Sequence, residues 1–370
     1  MLSRMWGRIS GVVLLVLALA GCGGGPSDAP APDAFVRHPD AVQPARVDDT
    51  LGAAGGISHL VPVGKCAIGI GSYANGYGAI GTHWNGSADC TSFQLPATTG
   101  HVGLAANAAV VLPDGSLIGA NRVLQRLGPD GVVTGLADLH LPTRDPNGSN
   151  DNPGLATAIA RSGDRLVIGG GQLVNGSYSP QMWTSTDGGK TVTPVQLPQV
   201  NGYVGPMVAS GDTIVAAERS ADDGPLGIWR SVDGGQHWQL TKFAAGPAKP
   251  TATSLVRTGH GWLLAGSGQD DLAHSFVATS PDGVDWKMID TAALGQAHLV
   301  DATGTRSGDV VLVGVTLSAD GGSNCGVVWT GAVDSLHRVD LGCDDEPKAT
   351  TSLADGRVII VGAHDLWVRA

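Results

Sequence analysis

Charge is sparse in this sequence. Only 15% of its 370 residues are Asp, Glu, Lys or Arg, which excludes an architecture of solvent-facing helices laced with i,i+4 ion pairs. Basic residues are the scarcer sign, 22 Lys and Arg against 33 Asp and Glu. The resulting formal charge of −11 argues against nucleic acid as a partner and against electrostatic docking on anionic lipid. Aromatic residues make up 5% of the chain. There is no HExxH pair, serine-nucleophile motif, phosphate loop or dinucleotide fingerprint, so no metal centre or cofactor is expected. The segment Asp145-Pro146-Asn147-Gly148-Ser149-Asn150-Asp151-Asn152 alternates oxygen side chains as a calcium loop does. It lacks the glycine at the sixth position and the glutamate at the twelfth, and reads as an Asx-rich surface turn.

No apolar run is long enough to span a bilayer comfortably. The one at Ile9 to Ala20 covers roughly a dozen residues and follows Arg4 and Arg8, with no acid before it, which are the proportions of a secretory signal peptide. It ends at Leu19-Ala20-Gly21-Cys22, which resembles the lipobox of bacterial lipoproteins. The resemblance implies that Cys22 is acylated and becomes the first mature residue, anchoring the protein to the cell membrane on its extracellular or periplasmic side. Loss of residues 1–21 removes Arg4 and Arg8 and deepens the formal charge to −13. Residues 22–50 open on a stretch rich in Gly, Pro, Ala and Asp, the composition of a flexible tether, and residues 51–370 form the folded unit.

Glycine is abundant, at 56 residues, and punctuates many short β-rich runs. Seven of these end in a small residue: Gly69, Gly119, Gly169, Ala216, Ala265, Gly314 and Gly362, at steps of 50, 50, 47, 49, 49 and 48. Most follow a turn such as Pro113-Asp114-Gly115 or Ser210-Gly211-Asp212, so each run is the second strand of its unit. A third strand follows, often with tryptophan (Trp84, Trp183, Trp229, Trp329, Trp367), then a turn and a fourth strand. Four strands in about 49 residues is the size of a propeller blade, which predicts an all-β propeller of seven blades, each of four antiparallel strands. The seventh unit has no fourth strand after Trp367, and Ala34 to Arg37 or Ala45 to Val47 is the candidate to supply it.

The turns Ser185-Thr186-Asp187-Gly188-Gly189-Lys190-Thr191, Ser231-Val232-Asp233-Gly234-Gly235-Gln236-His237-Trp238 and Ser280-Pro281-Asp282-Gly283-Val284-Asp285-Trp286 resemble the Asp-box (BNR repeat) of sialidase-like propellers. An aspartate that accepts backbone N–H bonds and glycines that supply positive φ fold such a hairpin. The resemblance implies that Asp187, Asp233 and Asp282 are structural and lie on the face opposite the ligand funnel.

Of the five cysteines, four remain after Cys22, an even number in an oxidising compartment, so disulfides are expected. Of three connectivities the local one is preferred. Cys325 and Cys343 fall at one end of adjacent strands, and Cys66 with Cys90 follows by elimination, although two strand spacings, about 9.6 Å, would separate them in a flat blade.

The loops joining second to third strands, and those leading into each first strand, define one face. The repeat places on it Tyr73, Tyr77, Tyr178 and Tyr203, together with Arg122, Arg219 and His298. Tyrosine pairs a flat apolar ring with a polar tip, a combination used at protein and carbohydrate interfaces. The expected function is therefore noncatalytic: a tethered propeller binding an envelope protein or glycan. The alternative is a sialidase-like or other glycoside hydrolase on the same face, with Glu218, Asp222 and Asp270 as carboxylates. The sialidase family's early Arg-Ile-Pro motif is missing, and Arg122, Arg219 and Arg144 are the arginines available to grip an acidic sugar.

Overall fold

The computed structural model describes residues 34–44, 55–74, 79–96, 103–142, 154–174, 177–219, 224–247, 249–269, 274–317 and 324–369. Residues 32–370 form one compact unit. Seven four-stranded antiparallel sheets make it a seven-bladed β-propeller. The inner strands are Gly56–Val63, Ala108–Val111, Gly154–Ser162, Val204–Ser210, Pro250–Thr258, His298–Gly304 and Ala349–Ser352. Each inner strand packs beside the next, and that of blade seven packs beside that of blade one, so the ring is closed.

The burial of the second strands explains why their sequences show no polar alternation. Every residue of Gly261–Gly268 is buried, because each blade is covered by a neighbour on both faces. The core is accordingly divided. Seven apolar clusters are resolved among the described residues, one between each pair of adjacent blades. The third-strand residues Trp84, Trp229, Trp329 and Trp367 are among the largest fully buried side chains.

Closure corrects the boundary of the tether. Val36–His38 forms the outer strand of blade seven, with Val36 opposite Val368 and His38 opposite Leu366. The chain then crosses to blade one, where the Phe93 N–H donates to Ala41 O and the Gln43 N–H donates to Phe93 O. Ala41 and Val42 are buried in the cluster between blades seven and one. Residues 34–44 thus belong to the propeller, because the last blade requires an outer strand that the carboxyl-terminal run does not supply.

Both local disulfides are present, Cys325–Cys343 and Cys66–Cys90. The Cα atoms of Cys66 and Cys90 are 5.2 Å apart, well inside the flat-blade spacing. Two features shorten the span. Cys90 has φ of 62° in the turn that folds back from the third strand, and the intervening strand offers Gly86 at the crossing point, where a Cβ would run into Cys66 Sγ.

In five inner strands the register with the second strand slips by one residue, between Ile57 and His59, Ala156 and Ala158, Val204 and Met207, Ala252 and Ser254, and Leu299 and Asp301. A bulge of this kind bends the strand and re-aims the next side chain. Opposite four of these slips, all but that of blade four, stands a glycine, Gly71, Gly170, Gly266 or Gly314, where a Cβ would strike the carbonyl of Gly56, Leu155, Thr251 or His298. The repeated glycine therefore admits a backbone rather than a turn.

Candidate functional site

The bulges shape the lumen. A cavity of about 390 Å³ lies along the axis, and all seven inner strands contribute to its wall. The residues that follow the slips, His59, Ala158, Met207, Ser254 and Asp301, all line it. Arg219, at the end of the second strand of blade four, reaches in from the rim.

Asp301 is held by three donors from three blades. Ser254 Oγ donates to its Oδ1 at 2.7 Å, the Ala302 N–H to Oδ1 at 2.8 Å and the Thr350 N–H to Oδ2 at 2.9 Å. Water reaches part of the residue through the lumen, yet protein surrounds it on all sides. That enclosure, only partly offset by the three hydrogen bonds, pushes the carboxyl up to about 6. His59 is in the same position, exposed to the lumen but enclosed by the ring. Desolvation first, and then the positive charge of Arg219, lower its imidazole to about 4.

At the rim, Tyr178 of blade three and Tyr203 at the start of blade four meet with ring centroids 5.3 Å apart, tilted by 53°. Gly171 in the second strand of blade three makes room for them, since a Cβ there would overlap Tyr203 Cβ. The Arg219 N–H donates to Tyr203 O at 2.9 Å, fixing the tyrosine beside the arginine. Burial raises the Tyr203 phenol above its ordinary value.

The other sequence-selected residues are dispersed. Glu218 is buried beneath the rim, where its Oε2 accepts the Gly227 N–H at 2.7 Å and lies 3.7 Å from Lys242 Nζ. Its surroundings are those of a structural carboxylate. Arg122 sits half-buried in the turn between second and third strands of blade two, its carbonyl accepting the Leu139 N–H. His298 opens the inner strand of blade six, with a buried Nδ1 that has no hydrogen-bond partner and an imidazole lowered by burial. Tyr73 lies in the second strand of blade one, its backbone opposite Ile80. Cys22, Tyr77, Asp222 and Asp270 lie outside the described residues.

Asp187, Asp233 and Asp282 fold the turns between third and fourth strands. Asp233 Oδ1 accepts the N–H groups of Gln236 and His237 at 2.9 and 3.0 Å, and Asp282 Oδ1 those of Val284 and Asp285 at 2.9 and 3.1 Å. The Gly234 N–H donates to Asp212 O in the turn between first and second strands, which places both turns at the end of the blade away from Tyr203 and Arg219.

Sequence reasoning passed over His59. The signal available was a titratable side chain immediately after an inner-strand bulge, a position that its blade-six counterpart Asp301 shares.

No protein-family model matches the chain, and no curated protein matches it. Among solved structures it is similar to a streptogramin B lyase, with a TM-score of 0.54 and 12% identity over 90% of this chain and 96% of that one. It is also similar to the acylaminoacyl peptidase of Pyrococcus horikoshii, with a TM-score of 0.53 and 14% identity over 85% of this chain, which spans 50% of the peptidase. A Hadza microbial sialidase aligns over 70% of this chain with a TM-score of 0.45. At these identities the likeness is one of fold.

Proposed function

We propose that the protein is a noncatalytic binding module, held at the cell membrane through an acylated Cys22, that takes an envelope protein or glycan on the rim of its propeller. The observation that carries this reading is the pairing of Tyr178 with Tyr203 across two blades, beside Arg219 at the mouth of the lumen. Two tilted rings and a guanidinium form an anchor with large contact area and little rotamer entropy to lose. Asp301 is the one carboxylate among the described residues of the lumen wall, and its three hydrogen bonds are to the scaffold. Glu218, the described member of the candidate carboxylates, is likewise held by the scaffold through the Gly227 N–H, and these engaged carboxylates favour binding over hydrolysis. Turns resembling Asp-boxes serve the fold in this reading.

The test is retention of envelope components by the full-length protein, run together with a glycan array. Tyr203→Ala and Tyr178→Ala should each weaken capture by about tenfold or more with little change in melting. Hydrolysis of aryl glycosides by the wild-type protein would replace this reading with the enzymatic one.

A further inference from the structure

We propose that the lumen binds a compact oxyanion, a carboxylate or phosphate group, clamped between the Arg219 guanidinium of blade four and the His59 imidazole of blade one. The inference goes beyond rim binding and does not depend on it. Among the described residues neither side chain has a hydrogen-bond or ion-pair partner, although both line the same cavity and the charge of Arg219 acts on His59. An arginine fork and an imidazole N–H left open in one chamber are donors awaiting an acceptor.

The rest of the wall does not compete for that role. The hydroxyls of Thr157 and Thr253 donate to backbone carbonyls, Val204 O and Ala265 O, and Asp301 is saturated by its three donors. The lining residues of blades two, three, four, five and seven on the inner strands carry no titratable group, so Arg219, His59 and Asp301 define the charge of the chamber. The formal charge of −11 on the whole chain is no obstacle. Exposed charges beyond about 8 Å are largely screened at physiological salt, whereas a half-buried guanidinium at the mouth of the lumen is screened less.

Binding is coupled to protons in this arrangement. An anion that neutralises Arg219 removes the repulsion that disfavours imidazolium, so His59 takes up a proton more readily when the site is filled. Protonation of Asp301 also favours the anion. Affinity should therefore rise as pH falls from about 7 to about 5.

The experiment titrates the full-length protein, in detergent, with inorganic phosphate and separately with acetate, while the His59 imidazole resonance is followed across pH. Saturable binding of either probe is expected, together with an upward move of the His59 titration midpoint. Arg219→Gln should weaken binding by about tenfold or more, and His59→Gln should flatten its pH dependence. Preference between the two probes identifies the anion class. Absence of binding by both, equal affinity in Arg219→Gln, or a His59 midpoint that ignores the anion would overturn the proposal. The midpoint is read on the wild-type protein, so the outcome stands even where a variant fails to fold.

Discussion

Arg37 of the first strand closes on Asp365 before the last, Nε to Oδ2 at 2.5 Å across 328 positions of sequence. Its Nη1 also meets Asp344 at 2.7 Å, while the Asp40 N–H donates to the other oxygen of Asp365 at 3.1 Å. Asp365 is almost fully buried, so these groups satisfy a carboxylate that water cannot.

Removing the guanidinium leaves that carboxylate short of partners. Arg37→Ala should therefore lower stability, read as a fall in the urea midpoint. A chain beginning at residue 34 should unfold as cooperatively as the longer protein, whereas one beginning at residue 45 should melt earlier and over a broader range.

The turn aspartates give a second expectation. Desolvation alone would raise the Asp233 carboxyl, but hydrogen bonds from the His237 N–H and imidazole, Ser231 and Gln236 hold it well below the usual carboxylate range. A depressed folded value adds stability above the unfolded value, and that stability is lost as pH falls through the folded one. Asp233→Ala should therefore cost about 1–2 kcal/mol near neutral pH, with the difference from wild type shrinking in acid. Ligand capture should be unchanged, since the turn lies at the other end of the blade.

For Asp301 the sign is reversed. Its carboxyl is raised to about 6 from 3.8, so the folded state binds the proton more tightly and stability falls as pH rises between those values. Relative to Asp301→Asn, the wild-type protein should lose roughly 1–3 kcal/mol between about pH 4 and about pH 7, measured by denaturation at each pH. The asparagine should itself destabilise in acid, because its amide turns a donor toward the Thr350 N–H.

The bulges make a differential prediction about glycine. Gly170→Ala should destabilise by about 1–3 kcal/mol, because the new methyl meets the Leu155 carbonyl and Ala156 Cα. Gly135→Ala, on an outer strand with open space around it, should be neutral or slightly stabilising. Melting temperatures of the two variants provide the comparison.

Much of the architecture was legible because it is written locally. The second strands are buried on both faces and so appear as unbroken runs such as Val310-Val311-Leu312-Val313, and turns such as Ser231-Val232-Asp233-Gly234 carry their own hydrogen-bonding chemistry. The closing strand was narrowed to two candidates and no further, since three residues, Val36-Arg37-His38, carry no periodicity and are specified by a partner at the far end of the chain. His59 was hidden for another reason. The slip after Ile57 shifts the phase of its strand, so a residue facing the lumen does not fall where strict alternation would put it. The Tyr178–Tyr203 pair lies between, since the repeat gives the face but not the proximity of two rings from different blades.

The same seam orders events during synthesis. Blades one to six pair strands close in sequence, so each can form as it emerges. The strand at Val36–His38 is made first, but its partner at Leu366–Arg369 is made last. Joining two such ends of an unstructured chain would cost about 5 kcal/mol in loop entropy. Preformed blades reduce that cost by curving the ends toward each other. Until they meet, the outer edge of Leu366–Arg369 stands unpaired and able to accept a strand from another molecule, so the newly made chain is most prone to association in the interval before its own amino terminus arrives.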